Sequence, residues 1–255
     1  MLNFTDVGEG EELLFIHGLG GRQEAWNPQL PLSENHRLII VELRGHGNSV
    51  GANDLTVEQF AADIIEVLDY LKIDQAHICG LSLGGLVAQE IHKRYKSRVK
   101  SLILSNTVFC IPSIVGNFAL IRTKKLIGFD RQDQQMRELA KTCLHDHKDE
   151  SKVDLLREAF LIRNDTYYAS AKSAFDRNYY FYLFDIRVPV TIIGSFEDKV
   201  TPIFNAYLMH NAIRHARLVI FHRTGHLSNV DNPAAFNQAI HKHIRSYRLH
   251  RHIAN

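Results

Sequence analysis

The chain has 255 residues, 45% hydrophobic and 23% charged, with a formal net charge of +2 when its fifteen histidines are counted neutral. That is the composition of an ordinary folded protein, long enough for one large α/β domain with an insertion. The near balance of charge argues against nucleic acid or a membrane as partner, because phosphate surfaces are held by dense basic patches.

The opening stretch MLNFTDVGEGEELLFI lacks a basic region followed by a long apolar segment. No signal peptide or membrane span is therefore expected, and the protein reads as soluble and cytoplasmic. Residues 13–16 form the first of six short apolar runs; the others are 38–41, 77–79, 102–104, 190–193 and 218–221. Continuous rather than alternating hydrophobicity is what a parallel sheet covered on both faces requires. Between the second and third runs, Val57, Phe60, Ala61, Ile64, Ile65, Leu68 and Leu71 recur at helical spacing, with Glu58, Glu66 and Asp69 on the other side. Thr56, with Gln59 three residues later, reads as a capping box at the start of that helix. A second helix is expected just after Ser82, through Leu86, Val87, Ile91 and Tyr95. Residues 108–185 break the rhythm of strand and helix and hold no convincing strand. They are expected to form a helical cap inserted into a core made of 1–107 and 186–255. The segment ends in Phe175, Tyr179, Tyr180, Phe181, Tyr182 and Phe184, which either pack cap on core or line an apolar pocket over the site. A last helix is expected near Pro233, through Phe236 and Ile240. The basic run from His241 to His252 reads as a solvated helix end and frayed tail. The whole predicts a mostly parallel α/β sheet flanked by helices. Cys79, Cys110 and Cys143 are too scattered for a disulfide framework or a zinc cluster.

Gly80-Leu81-Ser82-Leu83-Gly84 follows the run at 77–79 and opens a helix, which is the context a G-x-S-x-G nucleophile turn needs. A serine on so tight a turn takes a strained backbone. Gly80 and Gly84 remove clashes there, and Gly85 lets the helix pack closely. The hydroxyl then stands at the carboxyl end of the sheet, where the helix amino end favours negative charge. A hydroxyl is a weak nucleophile and needs an adjacent base, for which histidine is suited. Gly225-His226 lies between the last strand and the last helix, so a loop can bring this imidazole over the serine; the rival His222 continues the strand. The orienting acid should follow the run at 190–193, where Asp198 is the candidate and Glu197 the runner-up. The other strand end able to supply one reads Ser105-Asn106-Thr107 and has no carboxylate. Two backbone donors for an oxyanion are expected at the amides of Leu83 and of Leu19, the latter within His17-Gly18-Leu19-Gly20-Gly21. His17 reads as structural. Gly18-x-Gly20 lacks the third glycine of a dinucleotide site.

With these motifs and Leu43-Arg44-Gly45-His46-Gly47-Asn48-Ser49, the chain resembles the α/β-hydrolase family of small esterases, lactonases and carbon–carbon bond hydrolases. The likeness covers most of the chain outside the insertion. Asp198 stands four residues before Pro202, as the family acid does, which favours it over Glu197. Glu42 and Asp231 stand where the family commonly has aspartate and glutamate. Ser82 separates the chain from relatives that open epoxides or displace halide with an aspartate. The implied activity is cleavage of a small-molecule carboxylic ester, thioester or lactone through an acyl-enzyme. Ser82 is then nucleophile, His226 base and Asp198 acid, with no cofactor or metal. Cleavage of a carbon–carbon bond in a ring-fission product is the alternative, mildly disfavoured by Leu227 where such relatives often carry tryptophan. A hydrolase-fold receptor that binds or slowly cleaves a signal molecule is the reading from another class.

Overall fold

Six strands form at the six apolar runs: β2 (Glu11–Ile16), β3 (His36–Val41), β4 (Ala76–Leu81), β5 (Val99–Ser105), β6 (Val190–Ser195) and β7 (Arg217–Phe221). The computed structural model describes residues 1–49, 51, 53–127, 132–162 and 164–254. A seventh strand, β1 (Phe4–Val7), pairs antiparallel with β3; all other pairs are parallel, in the order β1-β3-β2-β4-β5-β6-β7. β1 is a half-exposed edge strand without an apolar run, so hydrophobicity alone does not announce it.

The helices are α1 (Val57–Tyr70), α2 (Leu83–Arg94), α3 (Ser113–Ile127), α4 (Gln132–Cys143), α5 (Glu150–Ala159), α6 (Asn164–Ser173), α7 (Tyr180–Leu183), α8 (Phe204–Ala212), α9 (Ser228–Asp231) and α10 (Pro233–Ala254). Successive strand residues alternate between two cores. Leu14, Ile16, Ile78 and Leu102 join residues of α1, α2 and α8 on one face. Leu13, Phe15, Cys79 and Ile103 meet Trp26 of the 3-10 helix Gln23–Glu34, together with Phe236, Ile240 and Ile244 of α10, on the other. Thr56 accepts the Gln59 amide at 3.2 Å, but the Gln59 side chain donates to Asp63 at 2.9 Å instead of returning to the cap. Asp63 is buried and paired with Arg44. Only half of the expected capping box forms, because that carboxylate competes for the donor. No helix among the described residues is long and apolar enough to cross a membrane.

After β2 the chain steps outward to β3, then returns past β2 to β4 and proceeds to β5. The connections leaving β2 and β4 therefore run to opposite sides, opening a crevice at their carboxyl ends, the usual place for a site in an open α/β sheet.

Helices α3 to α7 all lie between β5 and β6; residues 128–131 and 163 of that segment fall outside the described residues. Its aromatic end packs against the core. Tyr179 donates to Glu90 at 2.7 Å and Tyr182 is hydrogen-bonded to His92 at 2.8 Å, both in the second half of α2. Phe181 and Phe184 are exposed. Tyr179 and Tyr182 thus follow the packing alternative, because α2 offers them buried polar partners at the end away from Ser82.

The basic run at the C-terminus departs from expectation only in part, since His241, Lys242, Arg245 and Arg248 are exposed as a solvated helix end requires. It continues α10 to Ala254 rather than fraying, and His243 is buried; side chains from 249 onward, His252 included, lie outside the description. Ser101 Oγ lies 2.6 Å from both His77 Nδ1 and His243 Nε2, and His243 Nδ1 lies 2.8 Å from Thr191 Oγ1. Four side chains thus bind α10 to β4, β5 and β6. Burial, helped by the neighbouring charge of the other histidine, holds His77 down at about 3. Burial and then Arg217 hold His243 at about 4.

Both histidines are neutral when folded and take up a proton below about pH 6.5 when unfolded, so folding stability should fall from pH 6.5 toward 4. Each contributes a slope of up to about 1.4 kcal/mol per pH unit. His243→Gln should flatten the decline in urea-unfolding free energy across that window by close to one proton's worth. An unchanged slope in the variant would show that His243 is not held neutral.

Candidate active site

Ser82 is the one residue between β4 and α2, and its backbone stands at φ 55°, ψ −117°. A side chain is strained there and must be held by its surroundings. The Ser82 amide donates to Ser105 O at 3.0 Å, and its carbonyl accepts from Gly85 N at 2.9 Å and from Thr107 Oγ1 at 2.6 Å. The flanking glycines are sterically required. A β-carbon at Gly80 would lie 2.3 Å from Gly84 O, and one at Gly84 would lie 2.2 Å from Ile16 O. One at Gly85 would lie 2.5 Å from Thr107 Cβ. The loop after β2 runs beside the hydroxyl: a β-carbon at Gly18 would sit 3.8 Å from Ser82 Oγ. Leu83 is the first residue of α2, whose leading N–H groups have no intrahelical acceptor. Neither its amide nor that of Leu19 donates to a described residue.

Asp198 and His226 come together. His226 Nδ1 lies 2.9 Å from Asp198 Oδ2 and 3.2 Å from Oδ1, both side chains being almost wholly buried. Burial alone would raise the Asp198 carboxyl. The opposing pull of His226, with hydrogen bonds from Thr201 and Asn106, holds it down at about 2. The donors are Asn106 Nδ2 (2.9 Å) and Thr201 Oγ1 (2.6 Å) to Oδ2, and the amides of Val200 (2.8 Å) and Thr201 (2.9 Å) to Oδ1. An ionised carboxylate there fixes the proton of a neutral imidazole on Nδ1 and leaves Nε2 as an acceptor. Glu197 is turned elsewhere, accepting the Thr224 amide at 3.2 Å. His222 is exposed and stacked on Phe196.

The end of β5 links the elbow to the histidine loop. Ser105 O accepts the Ser82 amide, while Ser105 Oγ lies 3.1 Å from Ser228 Oγ, two residues past His226. Ser82 is half-buried and open to the crevice side of the core. Its Oγ makes no hydrogen bond to a described residue, so the contact expected with His226 is not formed in this geometry. Catalytic hydrogen bonds commonly tighten only when substrate binds.

His17 is a buried brace. Its Nε2 accepts the Leu43 amide at 3.0 Å and its Nδ1 lies 2.7 Å from Gly18 O. Burial, then the nearby His46, pushes it down to about 3. Glu42 is buried and organises the following loop, accepting from Asn48 N at 2.7 Å and Asn3 Nδ2 at 2.8 Å. Burial raises the thiols of Cys79 and Cys110, and burial with the Asp198 charge pushes Cys143 up to about 12. None of the three supplies a thiolate near neutral pH.

Asn106 and Thr201 are two further residues of this site that the motifs did not single out. Asn106 stands at φ 42°, a conformation asparagine tolerates better than most residues. An asparagine at a strand end is a readable signal for such a turn. Thr201 sits three residues after the acid, where a hydroxyl and an amide can both fold back onto it.

The sequence profile described as "Alpha/beta hydrolase family" matches residues 13–239. Over 247 residues the chain is 28% identical to 3-oxoadipate enol-lactonase 2 of Acinetobacter baylyi, covering 94% of this chain and 91% of that protein. The enol-lactonase of Burkholderia xenovorans LB400 superposes with a TM-score of 0.81 at 25% identity, covering 96% of each chain. A thermophilic esterase from Thermogutta terrifontis has the same fold, with a TM-score of 0.86 at 24% identity over 96% of this chain and 93% of that one.

The Asp198 carboxyl should titrate with a midpoint near 2 by carbon-13 NMR. Its stabilising contribution is then complete above the unfolded value of about 3.9 and is lost as pH falls through the folded midpoint. Asn106→Ala and Thr201→Val should each move the midpoint upward by removing a donor to the charged form. A midpoint already at 3.9 in the parent protein would contradict the geometry.

Proposed function

Because the chain belongs to the alpha/beta hydrolase family, we propose that it is a serine hydrolase cleaving a carboxylic ester, thioester or lactone by two-step acyl transfer. Ser82 Oγ attacks the carbonyl carbon as His226 Nε2 takes its proton. Asp198 stabilises the imidazolium so formed without itself being protonated. The amides of Leu19 and Leu83 receive the oxyanion, as donors with no competing acceptor among the described residues. Collapse of the tetrahedral adduct expels the alcohol or thiol, protonated from His226. Water activated by the same imidazole then releases the acid. In a lactone the leaving oxygen stays tethered, and one hydroxy acid results. No step calls for a metal or a cofactor. Residues 108–185 act as a cap over the crevice in this reading, and the substrate is a small molecule.

The observation that carries the proposal is the buried Asp198–His226 pair, tied through Ser105 to a serine on a strained strand-to-helix turn. A merely structural serine gains nothing from such a backbone. The lactone option draws further support from the enol-lactonase names of the relatives.

Ser82→Ala should fold normally and lose at least about a thousandfold in turnover of short aryl esters and enol-lactones. Turnover within a few-fold of the parent, by a folded variant, would end this reading.

A further inference from the structure

The loop that carries His226 is built partly on the insertion. Asp231, five residues downstream, has a fully buried side chain. Its Oδ2 accepts the Gly225 amide at 2.8 Å and also the His145 amide at 2.6 Å. Its Oδ1 accepts Lys152 Nζ of α5 at 2.9 Å and the Asp146 amide at 3.4 Å. Lys152 Nζ also donates to the Asp231 carbonyl at 3.1 Å. On the other side of His226, the Leu227 amide donates to Cys143 O, the last residue of α4, at 3.0 Å. The backbones touch: a β-carbon at Gly225 would lie 2.5 Å from Cys143 O and 2.9 Å from His145 N.

We infer that Asp231 and Lys152 form a latch through which the α4–α5 segment sets the position of His226. The inference rests on the hydrolase reading above. Both peptide neighbours of His226 are hydrogen-bonded across this junction, Gly225 through the Asp231 carboxylate and Leu227 directly to the end of α4. The backbone that carries the imidazole therefore cannot shift relative to Ser82 without either moving α4–α5 or breaking these bonds. Asp231 does not touch the reacting atoms; it is a positioning residue. Its carboxylate is ringed by three amides and one ammonium, all donors, so it must remain a pure acceptor. An amide in its place would turn an N–H group toward one of those donors and leave Lys152 only the more distant carboxylate of Asp146, at 3.8 Å. A base displaced by about 1 Å costs on the order of a hundredfold in rate with little change in binding.

The test measures kcat and KM for an aryl ester, and separately the rate at which a fluorophosphonate labels Ser82, in folded protein well below its unfolding temperature. Asp231→Asn should lower kcat and the labelling rate together, by about a hundredfold, with KM within about threefold. Asp231→Glu should recover most of both. Lys152→Met keeps the carboxylate and its amide donors, so it should fold where Asp231→Asn does not, and it should lose about tenfold in both rates. Increased hydrogen exchange at the Gly225 and Leu227 amides should accompany the loss. Folded Asp231→Asn and Lys152→Met proteins that label and turn over within threefold of the parent would overturn the latch while leaving the hydrolase reading intact. A parent protein that the probe does not label at Ser82 would overturn both.

Discussion

The geometry of this protein depends on one residue that must carry a side chain where a side chain is unwelcome. Between β4 and α2 the backbone reverses in a single left-handed step, and Ser82 occupies it. Three glycines are then obligatory, because Gly80, Gly84 and Gly85 press against Gly84 O, Ile16 O and Thr107. The same closeness brings the loop after β2 beside the hydroxyl, and the first amide of α2 has no acceptor among the described residues. The strain is carried by the packed sheet beneath, whose β2, β4 and β5 are buried on both faces.

A second cost is the charge at Asp198. A carboxylate so deeply buried would ordinarily be protonated. Two amides, a threonine hydroxyl, an asparagine amide and an imidazole converge on its two oxygens and keep it ionised. These donors come from the ends of β5 and β7 and from the turn after β6. The carboxylate thus depends on the parallel register of three strands, β5↔β6 and β6↔β7, rather than on any local motif.

The parallel sheet and the candidate residues Ser82, Asp198 and His226 were legible because each follows from short-range rules. Apolar runs mark buried strands, glycines mark tight turns, and strand ends mark the crevice. What stayed hidden has equally physical reasons. β1 is half-exposed and has no apolar run. The 3-10 helix Gln23–Glu34 contains Pro28 and Pro31, which erase helical periodicity. Asn106 carries no catalytic signal because the chemistry asks for a carboxylate at the end of β5 and an asparagine supplies none. His243 reads as one more basic residue in a polar helix, and only tertiary contact shows that it is bonded to Ser101 and Thr191. The aromatic residues near 180 could face a pocket or a packing surface by composition alone; the buried Glu90 and His92 partners decide for packing at Tyr179 and Tyr182.

The way α10 is sewn into the sheet bears on how the chain matures during synthesis. Leu13 and Phe15 of β2 emerge from the ribosome long before the Phe236, Ile240 and Ile244 side chains that cover their face. The nascent polypeptide therefore carries an uncovered apolar surface until α10 has been made. The Asp198–His226 pair and the stitch through His77, Ser101 and His243 are each completed by a residue that follows β7. Completion of the Asp198–His226 pair and burial of that surface both wait for residues beyond β7, so a chain truncated there would lack the pair and leave the surface open.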